Sequence, residues 1–146
     1  MQKILFLCTG NSCRSLIAEA LANQLGEGRL HAESAGSNPA GYAHPKALAT
    51  LKKHGVKAGG LFSKSWNVFE KKDFDYVITV CDSAASETCP VFTGGFKKLH
   101  WSLPDPASVT GSEDAIMATF EDTFAALKGR IESELLVPAL NYSRKS

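Results

Sequence analysis

Two residues that can handle a tetrahedral oxyanion lie close together near the start of the chain. Cys8 ends the apolar run at residues 4–7, and Arg14 follows after five intervening residues. A cysteine thiolate is a strong nucleophile. A guanidinium holds two oxygens of one anion with its planar fork. The pair therefore predicts a nucleophilic site for a phosphate-like anion.

The segment around these residues has the pattern of a buried strand, a tight loop and a helix. Apolar residues recur at helical spacing from Leu16 onwards, so a helix is predicted to begin near Arg14. The free N–H groups of the loop and the positive end of the helix would surround an anion. Gly10 and Asn11 tolerate the positive φ that such a loop needs. The predicted oxyanion-binding residues are Thr9, Gly10, Asn11, Ser12, Cys13, Arg14 and Ser15.

Positive potential in this loop would stabilise a thiolate, so the pKa of Cys8 is predicted to lie below the free value of about 8.5. A buried cysteine at a strand end, with Arg14 as a solvated helix residue, is the structural alternative. The small and polar residues between Cys8 and Arg14 favour the nucleophilic interpretation.

Composition and charge limit the classes of protein. The 146 residues suit a single domain, 1–146, and a net charge of +1 gives no long-range attraction to nucleic acid or membranes. No apolar stretch reaches transmembrane length, and Met1 leads directly into a strand with no targeting segment. We therefore expect a cytoplasmic monomer.

The use of the four cysteines is informative. Structural disulfides are not expected in a cytoplasmic protein of this size. The spacings of five and eight positions, Cys8 to Cys13 and Cys81 to Cys89, do not match zinc-ligand pairs. We expect nucleophilic or redox use, no metal and no cofactor. Cys13 is expected to pack without a required role of its own.

Alternating strands and helices predict an α/β fold with a four-stranded parallel sheet covered by helices, in three layers. The predicted strands cover residues 4–7, 30–35, 75–81 and 99–101, and the predicted helices begin near residues 14, 45, 67 and 113. Ligands of such sheets lie at the carboxyl ends of the strands. Cys8 and Cys81 each end a predicted strand, and Asp105 follows the fourth, so the three residues are expected to share one site.

Each of these residues has a chemical role open to it. Asp105 is a candidate acid for protonating a departing oxygen, although a turn residue within Pro104-Asp105-Pro106 is the structural alternative. Cys81 could attack an intermediate on Cys8, and Cys89 could then attack Cys81 to leave a disulfide. The alternative for both is burial as small apolar residues. Polar residues beneath the loop are candidates for a supporting network: Asn11, Ser15, Glu19 and Ser34.

The chain resembles the low-molecular-weight protein tyrosine phosphatase superfamily, and within it the thioredoxin-coupled arsenate reductases. The resemblance rests on these segments, in this order: residues 8–15 (CTGNSCRS), 34–36 (SAG), 44–47 (HPKA), 63–66 (SKSW), 77–82 (VITVCD), 89–90 (CP), 100–101 (HW) and 104–106 (PDP). It implies the flavodoxin-like architecture of that superfamily.

The resemblance also implies roles in arsenate reduction. Cys8 would attack arsenate, which Arg14 and the loop amides would bind, while Asp105 would protonate the leaving hydroxyl. Cys81 would then release arsenite, and Cys89 would close a Cys81–Cys89 disulfide. Thioredoxin, or glutaredoxin with glutathione, would reduce that disulfide; the spacing of Cys81 and Cys89 is one residue longer than in well-known reductases, so the donor stays open.

In some members of the superfamily, residues matching Asn11, Glu19 and Ser34 help to bind potassium. An Asp of that site is replaced near Lys64 in this chain, and the lysine ammonium would supply the positive charge instead. Two other functions remain as alternatives. One is a phosphatase that uses Cys8, Arg14 and Asp105 and leaves Cys81 and Cys89 idle. The other is a non-catalytic oxyanion-binding or redox-sensing module.

Overall fold

Four parallel strands form one sheet in this computed structural model, which describes residues 1–81 and 95–137. The spatial order of the strands is β2-β1-β3-β4. Their bounds are Gln2–Leu7 (β1), Leu30–Ala35 (β2), Tyr76–Thr79 (β3) and Lys97–His100 (β4). All three neighbouring pairs are parallel. The predicted α/β fold with a four-stranded parallel sheet is confirmed.

The helices begin where the sequence places their start signals. Pro45 is the first residue of α2, and His44 Nδ1 accepts a hydrogen bond from Lys46 N at 3.1 Å. Ser112 Oγ caps α3 by accepting from Ala115 N at 3.1 Å. The bounds are Arg14–Leu25 (α1), Pro45–Lys53 (α2) and Glu113–Arg130 (α3), which continues as a π-helix over Ile131–Leu136. Two short 3-10 helices cover Trp66–Phe69 and Pro106–Ser108.

Strand β1 lies at the centre of the core. Residues 4–7 are all 0% exposed, so side chains on both faces of this strand are covered. Helix α1 packs on β1 and β2 and also contacts α2 and α3. Helix α3 also contributes to the core, since Phe120 and Leu127 on this helix are 0% exposed. Burial on both faces fixes the position of β1 and therefore of the loop that follows it.

The strand order brings the predicted site residues to one edge. Because β1 and β3 are neighbours, the segments that leave their carboxyl ends, at Cys8 and Cys81, are adjacent. Asp105 follows β4, the next strand of the sheet. Cys89 lies outside the residues that the structure describes. Within the described ranges, no helix is long and apolar enough to cross a membrane.

Ionic contacts join α2 to α3 on the protein surface. His54 Nε2 lies 2.6 Å and Lys53 Nζ 3.3 Å from the Glu121 carboxylate, and Lys46 pairs with Glu113. The hydrogen bond from His54 is the main cause that lowers the pKa of Glu121; burial opposes it and Lys53 assists it. The ionised Glu121 carboxylate therefore stabilises the folded state.

We predict that Glu121→Gln lowers the free energy of unfolding by about 0.5–1 kcal/mol at pH 7, as is usual for an exposed ionic pair. A depressed pKa gives stability that is complete above the pKa of the unfolded state and is lost as the pH falls through the folded value. The difference between the two proteins should therefore shrink below roughly pH 4. Urea unfolding at several pH values measures this difference in the free energy of unfolding. Glu132→Gln, an exposed residue further along the same helix, is the control and should change stability by less than about 0.5 kcal/mol.

Candidate active site

The loop between β1 and α1 points its carbonyl groups away from the cleft. The carbonyl oxygens of Thr9, Gly10 and Ser12 accept hydrogen bonds of 2.8–3.0 Å from the backbone N–H groups of Asn38, Ala40 and His44, respectively. In a trans peptide the C=O and the following N–H point in opposite directions. The N–H groups of Gly10, Asn11 and Cys13 are therefore turned away from residues 38–44. This arrangement suits an oxyanion cradle.

Asn11 supplies the sharp bend of this loop. Its φ is +46°, in the left-handed region that Asn tolerates better than most residues, as the sequence predicts. The same conformation is expected for Gly10, but its φ lies outside the left-handed region. Among residues 8–15, Asn11 is therefore the one with a left-handed backbone conformation.

The loop forms the floor of an open cleft of about 560 Å³. The residues that line it come from the ends of β1, β3 and β4: Cys8, Thr9, Gly10, Ser12, Cys13, Arg14, Cys81, Leu103, Pro104, Asp105 and Ala107. The structure thus brings together the residues that the sequence marks as nucleophile, anion-binding arginine, acid and second thiol. The side chains of Asn11 and Ser15 are fully buried and do not line the cleft.

Arg14 and Asp105 face each other across the cleft. Arg14 Nη1 donates to Leu103 O at 2.8 Å, and Nη2 lies 3.9 Å from Asp105 Oδ2. The other oxygen, Asp105 Oδ1, accepts from Ala107 N at 3.0 Å, which fixes the carboxyl group at the cleft mouth. Arg14 Nε is buried and has no hydrogen-bond partner among the described residues. A tetrahedral anion in the cleft would have a fixed cation beside it and a carboxyl group within reach.

The thiols of Cys8 and Cys81 are both buried, at 4% and 3% exposure, and they interact. Thr9 N donates to Cys81 Sγ at 3.4 Å, and Thr9 Oγ1 lies 3.7 Å from the same sulfur. One of the loop amides is thus already turned towards the second thiol. The second thiol therefore lies beside Cys8 at the same cleft.

The predicted low pKa of Cys8 is wrong for this arrangement. The hydrogen bond with Cys81 and the burial of the sulfur raise the pKa well above its usual value, and the nearby Cys81 charge adds to this. The Arg14 charge and the Gly10 amide lower the Cys8 pKa, but their effect is smaller than that of the Cys81 hydrogen bond and burial. The sequence could not show that the second thiol lies against the first.

Cys13 is a third buried thiol at the cleft, with 4% exposure. Burial, assisted by the negative charge of Asp105, raises its pKa to about 11, against the lowering effects of Ser12 and Arg14. Cys13 therefore stays protonated at neutral pH and is a poor nucleophile. It packs, as expected, although it also lines the cleft.

A buried hydrogen-bond network supports the loop from below. Asn11 Nδ2 donates to Ser15 Oγ at 2.8 Å and to Ser34 Oγ at 3.0 Å. Asn11 Oδ1 accepts from Lys64 N at 2.9 Å. These contacts join α1, the end of β2 and residues 63–65 to one side chain. The predicted supporting residues therefore lie together under the loop.

Glu19 and Lys64 carry the charges of this network. Ser34 Oγ donates to Glu19 Oε1 at 2.6 Å, and Lys64 Nζ lies 3.6 Å from the same oxygen. The side chains are 12% and 9% exposed, and the Phe62 ring lies 4.5 Å from the ammonium. Burial raises the pKa of Glu19, while Ser34 and Lys64 oppose this effect. Because the ammonium occupies the cation's place beside Glu19, these residues do not fit a bound potassium ion. No cluster of metal-binding side chains occurs in residues 1–81 and 95–137.

Two supports of the loop could not be predicted from the sequence. One is the backbone of residues 38–44, whose N–H groups hold three carbonyls of the loop. The other is Ser63, whose hydroxyl donates to Gly10 O at 3.1 Å and accepts from Gly41 N at 3.2 Å. Backbone donors have no residue-type signature. Ser63 lies in residues 63–66 (SKSW), which indicate the family but no individual role for Ser63.

We predict that Lys64→Gln lowers the free energy of unfolding by about 3 kcal/mol, because it leaves a buried carboxylate without its cation. Wild-type unfolding should be the same in potassium and sodium chloride at equal ionic strength. Lys64→Asp should be stabilised by potassium relative to sodium. Urea unfolding measures the free energy of unfolding of the wild type, Lys64→Gln and Lys64→Asp. Lys52→Gln on the exposed surface of α2 is the control. Strong stabilisation of the wild type by potassium would contradict the assignment of Lys64.

Known proteins that are similar to this chain indicate its family. Residues 3–144 match the profile of the family described as low molecular weight phosphotyrosine protein phosphatase. The arsenate reductase of Bacillus subtilis (strain 168) is 36% identical over 118 residues, covering 81% of this chain and 84% of the relative.

Two solved structures are similar in fold. A protein described as an arsenate reductase in the phosphate binding state is 29% identical with a TM-score of 0.73, over 90% of this chain and 95% of that one. The Corynebacterium glutamicum thioredoxin-dependent arsenate reductase Cg_ArsC1′ is 28% identical with a TM-score of 0.68, over 94% of this chain and 63% of that one. The family resemblance read from the sequence is confirmed: the chain belongs to the low molecular weight phosphotyrosine protein phosphatase family.

Proposed function

We propose that this chain is an arsenate reductase that converts arsenate to arsenite through Cys8, with Cys81 and Cys89 as the resolving thiols. The observation that carries the proposal is the Cys81 thiol, which lies against Cys8 and the Thr9 amide inside the oxyanion cleft. Hydrolysis of a phosphoenzyme needs no second thiol, whereas reduction of an adduct does. The names of the relatives support the same assignment.

Arsenate would occupy the floor of the cleft, with its oxygens facing the loop amides and Arg14. Arg14 Nε, buried and without a partner among the described residues, and the nearby Nη2 can together hold two of these oxygens. The anion and the Cys81 sulfur compete for the Thr9 amide. Once the Cys81 sulfur moves away from Cys8, the largest cause that raises the Cys8 pKa is removed, and the Arg14 charge and the Gly10 amide lower the pKa against the remaining effect of burial.

In the first step the Cys8 thiol passes its proton to an oxygen of the bound arsenate, the resulting thiolate attacks arsenic, and one arsenate hydroxyl departs. Asp105 donates a proton to it, so that water leaves and a thiol–arsenate ester remains on Cys8. The carboxyl group is placed for this at the cleft mouth, held by Ala107 N on one oxygen.

In the second step Cys81 Sγ attacks the Cys8 sulfur, forms a Cys8–Cys81 disulfide and gives its thiol proton to an oxygen of the departing arsenite. The sulfur–arsenic bond breaks, its electron pair passes to arsenic, and As(V) becomes As(III), which leaves as arsenite. Cys89 then attacks Cys81, which frees Cys8 and leaves a Cys81–Cys89 disulfide. A dithiol donor, thioredoxin or glutaredoxin with glutathione, supplies the two electrons that reopen it. The cytoplasm, where thiols are kept reduced, is the compartment we assign to this cycle.

Phosphomonoester hydrolysis is the second candidate, because Cys8, Arg14 and Asp105 would also serve it. The residues after Pro106 are Ala107 and Ser108, which offer no aromatic contact for a phosphotyrosine ring. We therefore place hydrolysis second, as a residual activity toward small phosphate esters.

The test is arsenite formation with thioredoxin, thioredoxin reductase and NADPH, and separately with glutaredoxin and glutathione. We predict that Cys81→Ser lowers arsenate turnover by at least about 100-fold, because the adduct cannot be resolved, while hydrolysis of a small aryl phosphate persists. Cys8→Ser should abolish both activities. Equal loss of both in Cys81→Ser would contradict the proposed role of Cys81.

Mass mapping of the oxidised protein identifies the disulfide directly. A Cys81–Cys89 pair is expected in the wild type and also in Cys13→Ser. A Cys8–Cys13 pair, or no disulfide after arsenate turnover, would overturn the relay. Anion binding without any turnover would instead favour the non-catalytic module.

We predict that Asp105→Asn lowers arsenate turnover by about 10²–10⁴-fold, the usual contribution of a general acid. Sulfate affinity should fall little, because Asp105 donates no bond to the anion in the ground state. Isothermal calorimetry with sulfate and the arsenite assay together separate these effects. A loss of sulfate binding as large as the loss of turnover would show that Asp105 serves binding instead.

A further inference from the structure

Gly36 lies directly behind the catalytic loop, at the point where β2 ends. Ala35 O, just before it, accepts from Cys8 N at 3.2 Å. Gly36 N donates to Lys64 O at 3.0 Å, and Gly36 O accepts from Trp66 N at 2.9 Å. These two bonds pair it with Ser65 as a parallel bridge. The backbone of Gly36 is therefore held from the side opposite the loop and cannot move away from it freely.

There is no space for a side chain at this position. A Cβ atom on Gly36 would lie 2.4 Å from Thr9 O and 2.5 Å from Cys8 O. Both contacts are backbone atoms, which cannot turn aside as a flexible side chain can. The φ of Gly36 is outside the left-handed region. The requirement for glycine is therefore one of space and not of backbone conformation.

The two carbonyls next to Gly36 belong to two peptide groups of the loop. The N–H groups of these peptides form hydrogen bonds with Cys81 and Cys8. The Cys8 carbonyl belongs to the peptide whose N–H, on Thr9, points at Cys81 Sγ. The Thr9 carbonyl belongs to the peptide whose N–H, on Gly10, bonds to Cys8. Because a peptide is planar and trans, the direction of its carbonyl sets the direction of its N–H.

We propose that Gly36 is a positioning residue: its close approach to the Cys8 and Thr9 carbonyls aims the Thr9 and Gly10 amides into the oxyanion cleft. The inference rests on the proposed function, because the loop it positions is the one that would hold arsenate. It concerns the geometry of the loop, however, and is testable with an anion that is not reduced.

The test compares Gly36→Ala with the wild type in the full-length chain. Phosphate affinity, measured by calorimetry, should fall by at least about 10-fold, because the two amides are turned. The pH midpoint for alkylation of Cys8 by iodoacetamide, read by mass spectrometry on its peptide, should rise because the Gly10 amide no longer lowers the pKa. Turnover of arsenate should fall by about 10²-fold, as expected for a displacement of the reacting group near 1 Å.

Gly26→Ala is the matched control. A Cβ at Gly26 would lie 2.5 Å from the Leu30 side chain, at the end of α1 and far from the cleft. It should lower the thermal midpoint without changing phosphate affinity or the Cys8 profile. Wild-type values in Gly36→Ala, or equal shifts in Gly26→Ala, would overturn the proposal. If Gly36→Ala weakens phosphate binding and shifts the Cys8 profile as expected, but neither the wild type nor the variant turns over arsenate, the result counts against the proposed function alone.

If Gly36→Ala does not fold, NMR relaxation of the wild type in phosphate-free buffer tests whether the Thr9 and Gly10 amides are held in place. A loop held from behind requires order parameters of about 0.85 at the Thr9 and Gly10 amides. Values below about 0.6 would show that Gly36 does not fix these amides, and would overturn the proposal.

Discussion

The side-chain amide of Asn11 is the contact on which the shape of the cleft depends. It is fully buried, its NH₂ group donates to two hydroxyls, and its oxygen accepts from the Lys64 backbone. An unpaired amide in such a place would cost free energy comparable to a lost hydrogen bond or more. These three bonds stabilise the left-handed bend at Asn11. With the bend in place, the amides before it and Arg14 after it face the same space.

The cleft combines firm support from below with reactive groups that are only loosely paired above. Beneath the loop, Glu19 accepts a hydrogen bond from the buried Ser34 and pairs with Lys64, and the Glu19 and Lys64 side chains are mostly covered. In the cleft, Arg14 Nε has no hydrogen-bond partner within residues 1–81 and 95–137, the Asp105 side chain is 44% exposed, and the Cys81 thiol lies against the Thr9 amide. Groups of the second kind can exchange their partners for a substrate at little cost. The rigid network therefore leaves the reacting groups free to change partners while the loop keeps its geometry.

Much of this site could be predicted from the sequence, because a parallel sheet brings the carboxyl ends of its strands to one edge. Cys8, Cys81 and Asp105 lie far apart in sequence, yet strand order alone places them together. The pKa of Cys8 could not be predicted, since it depends on contact with Cys81 more than on the loop's positive potential. The importance of Gly36 was equally hidden, because a lack of space is visible only once two distant segments are packed. The contacts of Cys89 lie outside the described residues.

The pairing of Glu19 with Lys64 has a consequence for how this protein can change over generations. The carboxylate needs one positive charge beside it, and the covalently attached ammonium supplies that charge regardless of the salts in the cell. A substitution that removed only the lysine would leave the acid without its attached counter-ion, whereas loss of both charges together would avoid that cost. Residues 19 and 64 are therefore coupled electrostatically, and the effect of a change at one position depends on the residue at the other.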